Sequence, residues 1–467
     1  YINYELTDSG SVLPSNSVID IRSVGDTVWI ASTRGVGRTD DGGSTWITAN
    51  TGDGLKSNSI SGLAVSPGLV WAATSRSEVI DGQAIPFGTG VTRTTDGGIT
   101  WQSFTPDQAS IAGRLVYDVE ITDSTMWAAC FYGGLIKTAP GDTIFYNVYP
   151  DSASQYDYEE DNFELLRNRF FSVASDTSHT DTTIIYGGSA AGVLKFIFSS
   201  SDSVADTVFH YQNADTNATP NLRLPGDFVI TMETQYDDGD IIIWAGCKPT
   251  GAGEIAISHS TNGGEEWITP DASLGFECWN FAFYENIVYA ATTQGLVYSS
   301  DYGESWTAFG NFVDSDNHTA YLTNTFYSVE VQGPDTIWAG GPDGVVMTTD
   351  GGTTWRVFRS YLPAGSADAG DSYAYPVPFS PMRGTGYARI HYKALSSTSA
   401  TIKIYDFGMN LVKTVVENKS VLAGQEYDID TWDGYNGDGE ICTNGVYFYR
   451  IEMDDGSDWW GKLAILR

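Results

Sequence analysis

Thr39-Asp40-Asp41-Gly42-Gly43-Ser44-Thr45-Trp46 recurs four more times, as Thr94 to Trp101, Ser260 to Trp267, Ser299 to Trp306 and Thr348 to Trp355. Each copy reads hydroxyl residue, any residue, Asp or Asn, any residue, Gly, any residue, polar residue, Trp. The phrase has the composition of a tight turn. An Asp or Asn side chain accepts hydrogen bonds from amides a few residues on, the Gly adopts a backbone that a Cβ resists, and the Trp buries a large ring. The copies stand between short runs of alternating apolar residues, so the repeated unit is β. This reading makes Asp41, Asp96, Asn262, Asp301 and Asp350 structural, together with Trp46, Trp101, Trp267, Trp306 and Trp355.

A second repeat counts the units. Val28-Trp29-Ile30-Ala31, Val70-Trp71-Ala72-Ala73, Met126-Trp127-Ala128-Ala129, Ile185-Tyr186-Gly187-Gly188, Ile243-Trp244-Ala245-Gly246, Val288-Tyr289-Ala290-Ala291 and Ile337-Trp338-Ala339-Gly340 make seven strands of one type. The units after Trp127 and Tyr186 lack the turn phrase; 138–142 is a degraded remnant. An alternating strand precedes each aromatic strand, as in Val18 to Arg22 and Val116 to Glu120. About four strands per unit suit the blade of a propeller.

The turn phrase resembles the Asp-box, or BNR, repeat. That repeat occurs in sialidases, sortilin-type receptors, xyloglucanase-type glycoside hydrolases and photosystem II assembly factors. The resemblance implies a β-propeller and leaves function open, because those families do unrelated things. The expected fold class is all-β: a seven-bladed β-propeller over 1–361, a breaker-rich linker over 362–372, and an immunoglobulin-like β-sandwich over 373–467. Residues 1–6 read as an outermost strand that docks beside 355–358 and ties the ring shut.

The C-terminal segment carries strand signals at 387–392, 400–405, 411–416, 426–430, 446–453 and 462–466. Tyr375 to Phe379, Ile404-Tyr405-Asp406 with Gly408, Trp432-Asp433-Gly434, Gly445 to Arg450 and a closing Lys462 to Arg467 resemble the immunoglobulin-like domain of flagellar hook-capping proteins. They also resemble the C-terminal sorting domain of type IX secretion cargo. The resemblance implies dealings with secretion machinery, and export to, or anchoring at, the cell surface. Met409-Asn410 departs from the polar pair usual there.

A formal net charge of −35 disfavours nucleic acid and anionic membranes as partners. No run of eighteen apolar residues exists, so no spanning helix is expected. The chain opens at Tyr1, which reads as a mature form after signal-peptide removal. Cys130, Cys247, Cys278 and Cys442 match no zinc spacing. Cys247 and Cys278 sit at strand ends expected on one face of a propeller, where a disulfide could join them; buried free thiols are the alternative.

Catalytic signatures are scarce. Ala84-Ile85-Pro86 lacks the Arg of a sialidase motif, although Arg22, Arg34, Arg38, Arg76 and Arg93 crowd the first two units. The five histidines are scattered, and one propeller lacks the inter-propeller cleft of xyloglucanase-type enzymes. Aligning the first strands gives a column of Asp20, Gly62, Asp118, Ser172, Thr231, Asn280 and Ser328. Two residues on stand Arg22, Ala64, Glu120, Ala174, Glu233, Ala282 and Glu330. First strands border a propeller's axis, so Asp118, Glu120, Glu233 and Glu330 are the candidate carboxylates for glycoside hydrolysis, or for Ca²⁺. A hydrated polar channel is the simpler reading. An acidic, Tyr-rich loop at 149–161 reads as a solvated face, with a docking or cation-binding loop as the alternative, and 433–440 reads as a hairpin turn rather than a calcium loop. The expected function is a secreted or surface-attached recognition or assembly protein that binds protein or polysaccharide, or self-assembles, without cofactor. The alternative is an extracellular glycoside hydrolase or polysaccharide lyase.

Overall fold

The computed structural model describes residues 13–80, 83–105, 115–131, 133–138, 145–149, 166, 168–179, 181–199, 205–213, 222–251, 253–310, 312–315, 320–360, 372–382 and 386–467. The expected N-terminal strand, the acidic loop beyond Tyr149 and the linker up to residue 371 lie outside these. Every extended element among the described residues is β, apart from two three-residue 3-10 turns, Thr51–Asp53 and Asp271–Ser273.

The chain divides into two compact units. Among the described residues, one holds those from 13 to Phe312 and Asn324–Arg359; the other holds those within Val313–Thr323 and Ser360–Arg467. Segment 313–323 therefore groups with the C-terminal residues, although the sequence reads it as part of the repeat array. Within that unit, Arg389 donates to the Ala320 carbonyl at 3.2 Å.

The larger unit contains seven antiparallel meander sheets among its described residues. The first runs Val18–Val24, Thr27–Ser32, Gly35–Thr39, Ile47–Ala49. The first strands of the others are Ser59–Ser66, Val116–Thr122, Phe170–Asp176, Phe228–Asp237, Cys278–Tyr284 and Ser328–Val331. Each sheet has four strands, except that the fifth has three, with an isolated His259–Ile268 bridge in place of the last. Each first strand packs on the first strand of the next sheet, and the seventh packs on the first, closing the circuit.

The repeated turn shows how local chemistry builds this array. Thr39 Oγ1 donates to Asp41 Oδ1 (2.9 Å) and accepts Gly43 N–H (2.9 Å); Asp41 also accepts Thr45 N–H (2.8 Å) and Thr45 Oγ1–H (2.7 Å). The same four bonds recur around Asp96, Asp301 and Asp350. Asn262 keeps the backbone bond to Glu266 N–H and turns its amide to the Glu266 carboxylate. Gly43 has φ +83, and a Cβ there would stand 2.6 Å from the Phe358 ring, so glycine is required for two independent reasons.

Each turn delivers its Trp onto the aromatic strand of the preceding sheet. Trp101 meets Trp29 edge-on at 6.2 Å, Trp306 meets Trp244 at 6.4 Å, and Trp46 of the first sheet meets Trp338 of the seventh at 6.3 Å. Trp267 shares a core with Tyr186, and Trp355 reaches Tyr289 through Phe309. The third and fourth sheets lack the turn, and phenylalanines fill the place: Phe145 packs with the Trp71 core and Phe198 lies 5.1 Å from Trp127. These pairs add edge-to-face attraction to large buried area.

Cationic third-strand residues complete the joint. Arg38, Arg93, Lys137 and Lys195 pair across from Trp29, Trp71, Trp127 and Tyr186 and lie over those rings at 5.0 to 5.7 Å. Arg38 also donates to the Gly97 carbonyl (2.8 Å) and Lys195 to the Gly263 carbonyl (2.9 Å), each in the turn of the following sheet. The crowding of arginines in the first two units thus has a partly structural cause.

The C-terminal unit pairs two four-stranded antiparallel sheets. One contains Ser372–Tyr375, Ala388–Lys393, Glu426–Tyr427 and Thr431–Trp432; the other runs Leu411–Val421, Thr398–Tyr405, Gly445–Met453, Asp458–Ile465. Alternating inward residues of both, including Ile390, Tyr392, Ile402, Ile404, Tyr449, Ile451 and Leu463 around Trp432, form one core. At 433–440, Asn436 Oδ1 accepts Asp438 N–H and Glu440 N–H, a turn closed by a Tyr435–Ile441 bridge.

Candidate functional site

The two aligned columns occupy equivalent places in all seven sheets. Asp20, Gly62, Asp118, Ser172, Thr231, Asn280 and Ser328 pair with Ala31, Ala73, Ala129, Gly188, Gly246, Ala291 and Gly340. The second column, Arg22 through Glu330, lies directly across from the seven strand aromatics.

Several of these polar groups join neighbouring sheets. Asp20 Oδ2 accepts Leu63 N–H (2.9 Å), Asp118 Oδ2 accepts Val173 N–H (3.0 Å) and Asn280 Oδ1 accepts Val329 N–H (3.0 Å). Each acceptor thus takes the amide one residue past the column position of the next sheet. One level along, Glu120 accepts Ser175 Oγ–H (2.7 Å), and Glu330 accepts Ser23 N–H (3.0 Å) and Oγ–H (2.5 Å). Glu233 instead pairs with Arg22 at 3.0 Å, bridging the first and fifth sheets across the axis.

The axial charges are tightly linked. Burial opposes the charge on Arg22, yet the fields of Asp20, Glu233, Asp118 and Glu330 outweigh it and hold the guanidinium protonated. Burial raises Asp118 to about 7, with Arg22 and the Val173 amide pulling the other way. Burial, reinforced by Glu233, raises Glu120 to about 8. Burial raises Glu330 to about 7 against its Ser23 hydrogen bonds. Each of these carboxyls is half-buried by surface area, yet the protein packed around the axis desolvates it strongly.

A cavity of about 570 Å³ opens onto this cluster, and all seven sheets line it. Its wall is the residue just before the first column: Ile19, Ser61, Tyr117, Phe171, Ile230, Trp279 and Tyr327. In the first six sheets this residue is skipped by the strand register, so it is the extra residue of a β-bulge. A bulge re-aims a side chain that regular pleating would send elsewhere. Repeated around the axis, it delivers a ring of side chains to one mouth of the channel.

That ring has two halves. Tyr117 lies 5.2 Å from Phe171, Phe171 lies 4.5 Å from Phe228, and Trp279 meets Tyr327 edge-on at 6.1 Å. Lys248 stands 4.8 Å over the Trp279 ring and is paired with Glu277. The first two sheets contribute hydroxyls instead: Thr33, Ser59, Ser61 and Ser75. Asp20, Arg22 and Asp118 form the floor, whereas Glu120, Glu233 and Glu330 lie outside the cavity lining. Of the four candidate carboxylates, the structure therefore presents only Asp118 to the cavity.

The aligned column was legible in the sequence, but the cavity-facing ring sits one residue earlier. The signal was there: in the same alignment, that position reads Ile, Ser, Tyr, Phe, Ile, Trp, Tyr.

The turn residues Asp41, Asp96, Asn262, Asp301 and Asp350 lie away from this cavity, each in its own loop. The disulfide considered for Cys247 and Cys278 is not formed; both are free and buried, as are Cys130 and Cys442. Cys247 belongs to the core between the fourth and fifth sheets and Cys278 to the core between the fifth and sixth, so the fifth sheet separates the two thiols. Among the described residues, no group of three or more His, Cys, Asp or Glu side chains is placed to hold a metal ion, and no helix is long and apolar enough to cross a membrane.

No family model matches the sequence, and no curated protein matches it. Among solved structures the chain is similar to the GH74 enzyme of Niastella koreensis, with TM-score 0.54 and 13% identity over 97% of this chain and 74% of that one. It is equally similar to the GH74 xyloglucanase of Xanthomonas campestris, with TM-score 0.54 and 12% identity over 97% and 73%. PorZ, a surface component of the type IX secretion system of Porphyromonas gingivalis, aligns with TM-score 0.37 and 16% identity over 97% of this chain and 66% of that one. The two GH74 structures establish the architecture, and at such identities the architecture alone: the chain has a β-propeller fold.

Proposed function

We propose that this protein is a secreted or cell-surface recognition or assembly protein, whose ligand is a protein or a glycan received at the bulge-lined mouth of the propeller axis. In this reading the seven sheets are the blades of a seven-bladed propeller with Asp-box turns. The two-sheet C-terminal unit is an immunoglobulin-like module for export or anchoring, as its resemblance to secretion-cargo domains implies. Self-association into a larger surface structure is a variant of the same reading.

The observation that carries the proposal is the mouth itself. Aromatic faces on one side and hydroxyls on the other suit a ligand with flat apolar surface and hydrogen-bonding edges. The competing reading, a glycoside hydrolase or lyase, draws on the GH74 likeness. It is less well supported, because hydrolysis needs two carboxyl groups flanking one bond. Here the two carboxyl groups that line the cavity are both engaged, Asp20 with the Leu63 amide and Arg22, and Asp118 with the Val119 and Val173 amides, while Glu120, Glu233 and Glu330 are held by Ser175, Arg22 and Ser23 outside the lining.

The test is a glycan array and a peptide array probed with the full chain and with Trp279→Ala and Phe171→Ala, beside turnover assays on a polysaccharide panel. Binding lost in both variants, with no turnover, supports recognition. Turnover abolished by Asp118→Asn with intact folding establishes the enzyme instead. Binding unaltered by both mouth variants overturns the assigned site.

A further inference from the structure

We infer that the C-terminal two-sheet unit is a retained part of this protein, not a piece that one cut in the connecting segment 361–371 would release, because a strap from the repeat array, residues 313–323, is built into it. The inference goes beyond the recognition reading and holds whether or not the axial mouth takes a ligand.

Three observations carry it. First, the chain changes unit twice around the strap. The described residues of 313–323 group with the C-terminal residues, whereas Phe312 before them and Asn324 after them belong to the larger unit. The strap is therefore covalently continuous with the larger unit on both sides, upstream of the connecting segment. Second, its two roots are fixed within that larger unit. Phe312 meets Phe326 edge-on at 5.1 Å and Trp355 at 4.8 Å; Phe326 is fully buried, and its amide donates to the Thr292 carbonyl at 2.9 Å. Third, the strap is buried as an integrated element. Val313 and Ala320 form an antiparallel bridge, and Asp314 and Tyr321 are only 4% and 6% exposed. A lone hairpin of this size has no interior of its own, so residues outside it supply that burial. On the C-terminal side, Arg389 is 1% exposed; its guanidinium donates to the Asp428 carbonyl at 2.8 Å and to the Ala320 carbonyl at 3.2 Å. Withdrawing the strap strips an acceptor from a buried cation, and a buried donor left unpaired is costly.

A domain joined by one linker leaves when one peptide bond in that linker is cut. Here the same cut leaves the strap in place, with its burial and its hydrogen bond to Arg389. Separating the fragments requires extracting a segment whose ends are pinned elsewhere. The unit is thus suited to lasting attachment, such as anchoring, rather than to a signal discarded after use.

The test uses the full chain with a site for a sequence-specific protease inserted after Gly365. After complete cleavage, verified on a denaturing gel, the two fragments are expected to co-elute in gel filtration at micromolar concentration. Tyr321→Ala and Arg389→Met, each in the cleavable chain, should weaken that retention about tenfold or more. Hydrogen exchange of strands Ala388–Lys393 and Gly445–Met453 is followed before cleavage, since either substitution can loosen the unit itself. Protection kept before cleavage with retention lost after it supports the strap. Protection lost in the uncut variants also supports it, since the strap is then part of the unit's fold. Separation of the fragments of the otherwise unaltered chain overturns the inference. So does unchanged retention when 313–323 is replaced by a Gly-Ser segment of equal length, because something other than the strap would then hold the fragments together.

Discussion

Carboxylates do opposite work in the repeated turns and at the axis. In the turns, Asp96 and Asp350 face solvent and accept three hydrogen bonds each from hydroxyls and amides, which pulls both down to about 2. At the axis, Asp118, Glu120 and Glu330 also accept hydrogen bonds, yet desolvation wins and raises them to about 7 or 8. A hydrogen bond stabilises the ionised form in both places. Only at the axis is the surrounding medium poor enough to reverse the outcome. The turn carboxylates are fold-forming groups that titrate far below neutrality, whereas the axial ones remain chemically responsive near it.

The comparison breaks most sharply where a turn meets the core. Trp46→Ala removes a ring that is 2% exposed and joins the first sheet to Trp338 of the seventh. A loss of about 3–5 kcal/mol in urea unfolding is expected. Trp279, 37% exposed at the mouth, should cost far less when replaced by Ala. Equal losses would show that the turn tryptophans are not what joins the sheets.

The pH dependence of melting separates the two carboxylate sets. A turn Asp with its folded value near 2 contributes stability above its unfolded value of about 4, and that stability is lost as pH falls toward 2. An axial carboxyl raised to about 7 binds a proton in the folded state that the unfolded chain has released. Its contribution is therefore full below about pH 4 and is lost as pH rises through 7. Melting temperature should peak at about pH 4 and fall on both sides, with the alkaline fall spread between about pH 4 and 7. Asp118→Asn should shrink the alkaline fall by about 2 °C and leave the acid fall untouched. Asp96→Asn should do the reverse.

The smallest expected effect concerns the turn chemistry alone. Asn262 shows that an amide can hold the backbone bond of the turn while giving up the second oxygen acceptor. Asp301→Asn should therefore lower the urea midpoint only slightly, and Asp301→Ala measurably further. A larger cost for Asn than for Ala would mean that charge, rather than acceptor geometry, holds the corner.

The turn was legible in the sequence because its interactions are local. Thr39, Asp41, Gly43 and Thr45 satisfy one another within seven residues, so composition and spacing alone specify the bend. The aromatic strands and the aligned axial columns were legible for a related reason, since seven approximate copies repeat one pattern. Tertiary structure alone decided the rest. The skipped residues Tyr117, Phe171 and Trp279 reach the mouth because each bulge shifts strand register by one, and register depends on how two strands meet. Likewise, no single strand foretells that Arg22 will find Glu233 across the axis, or that the fifth sheet will stand between Cys247 and Cys278. Those outcomes follow from closing the circuit, which brings together groups hundreds of residues apart and removes the water that would otherwise have screened them.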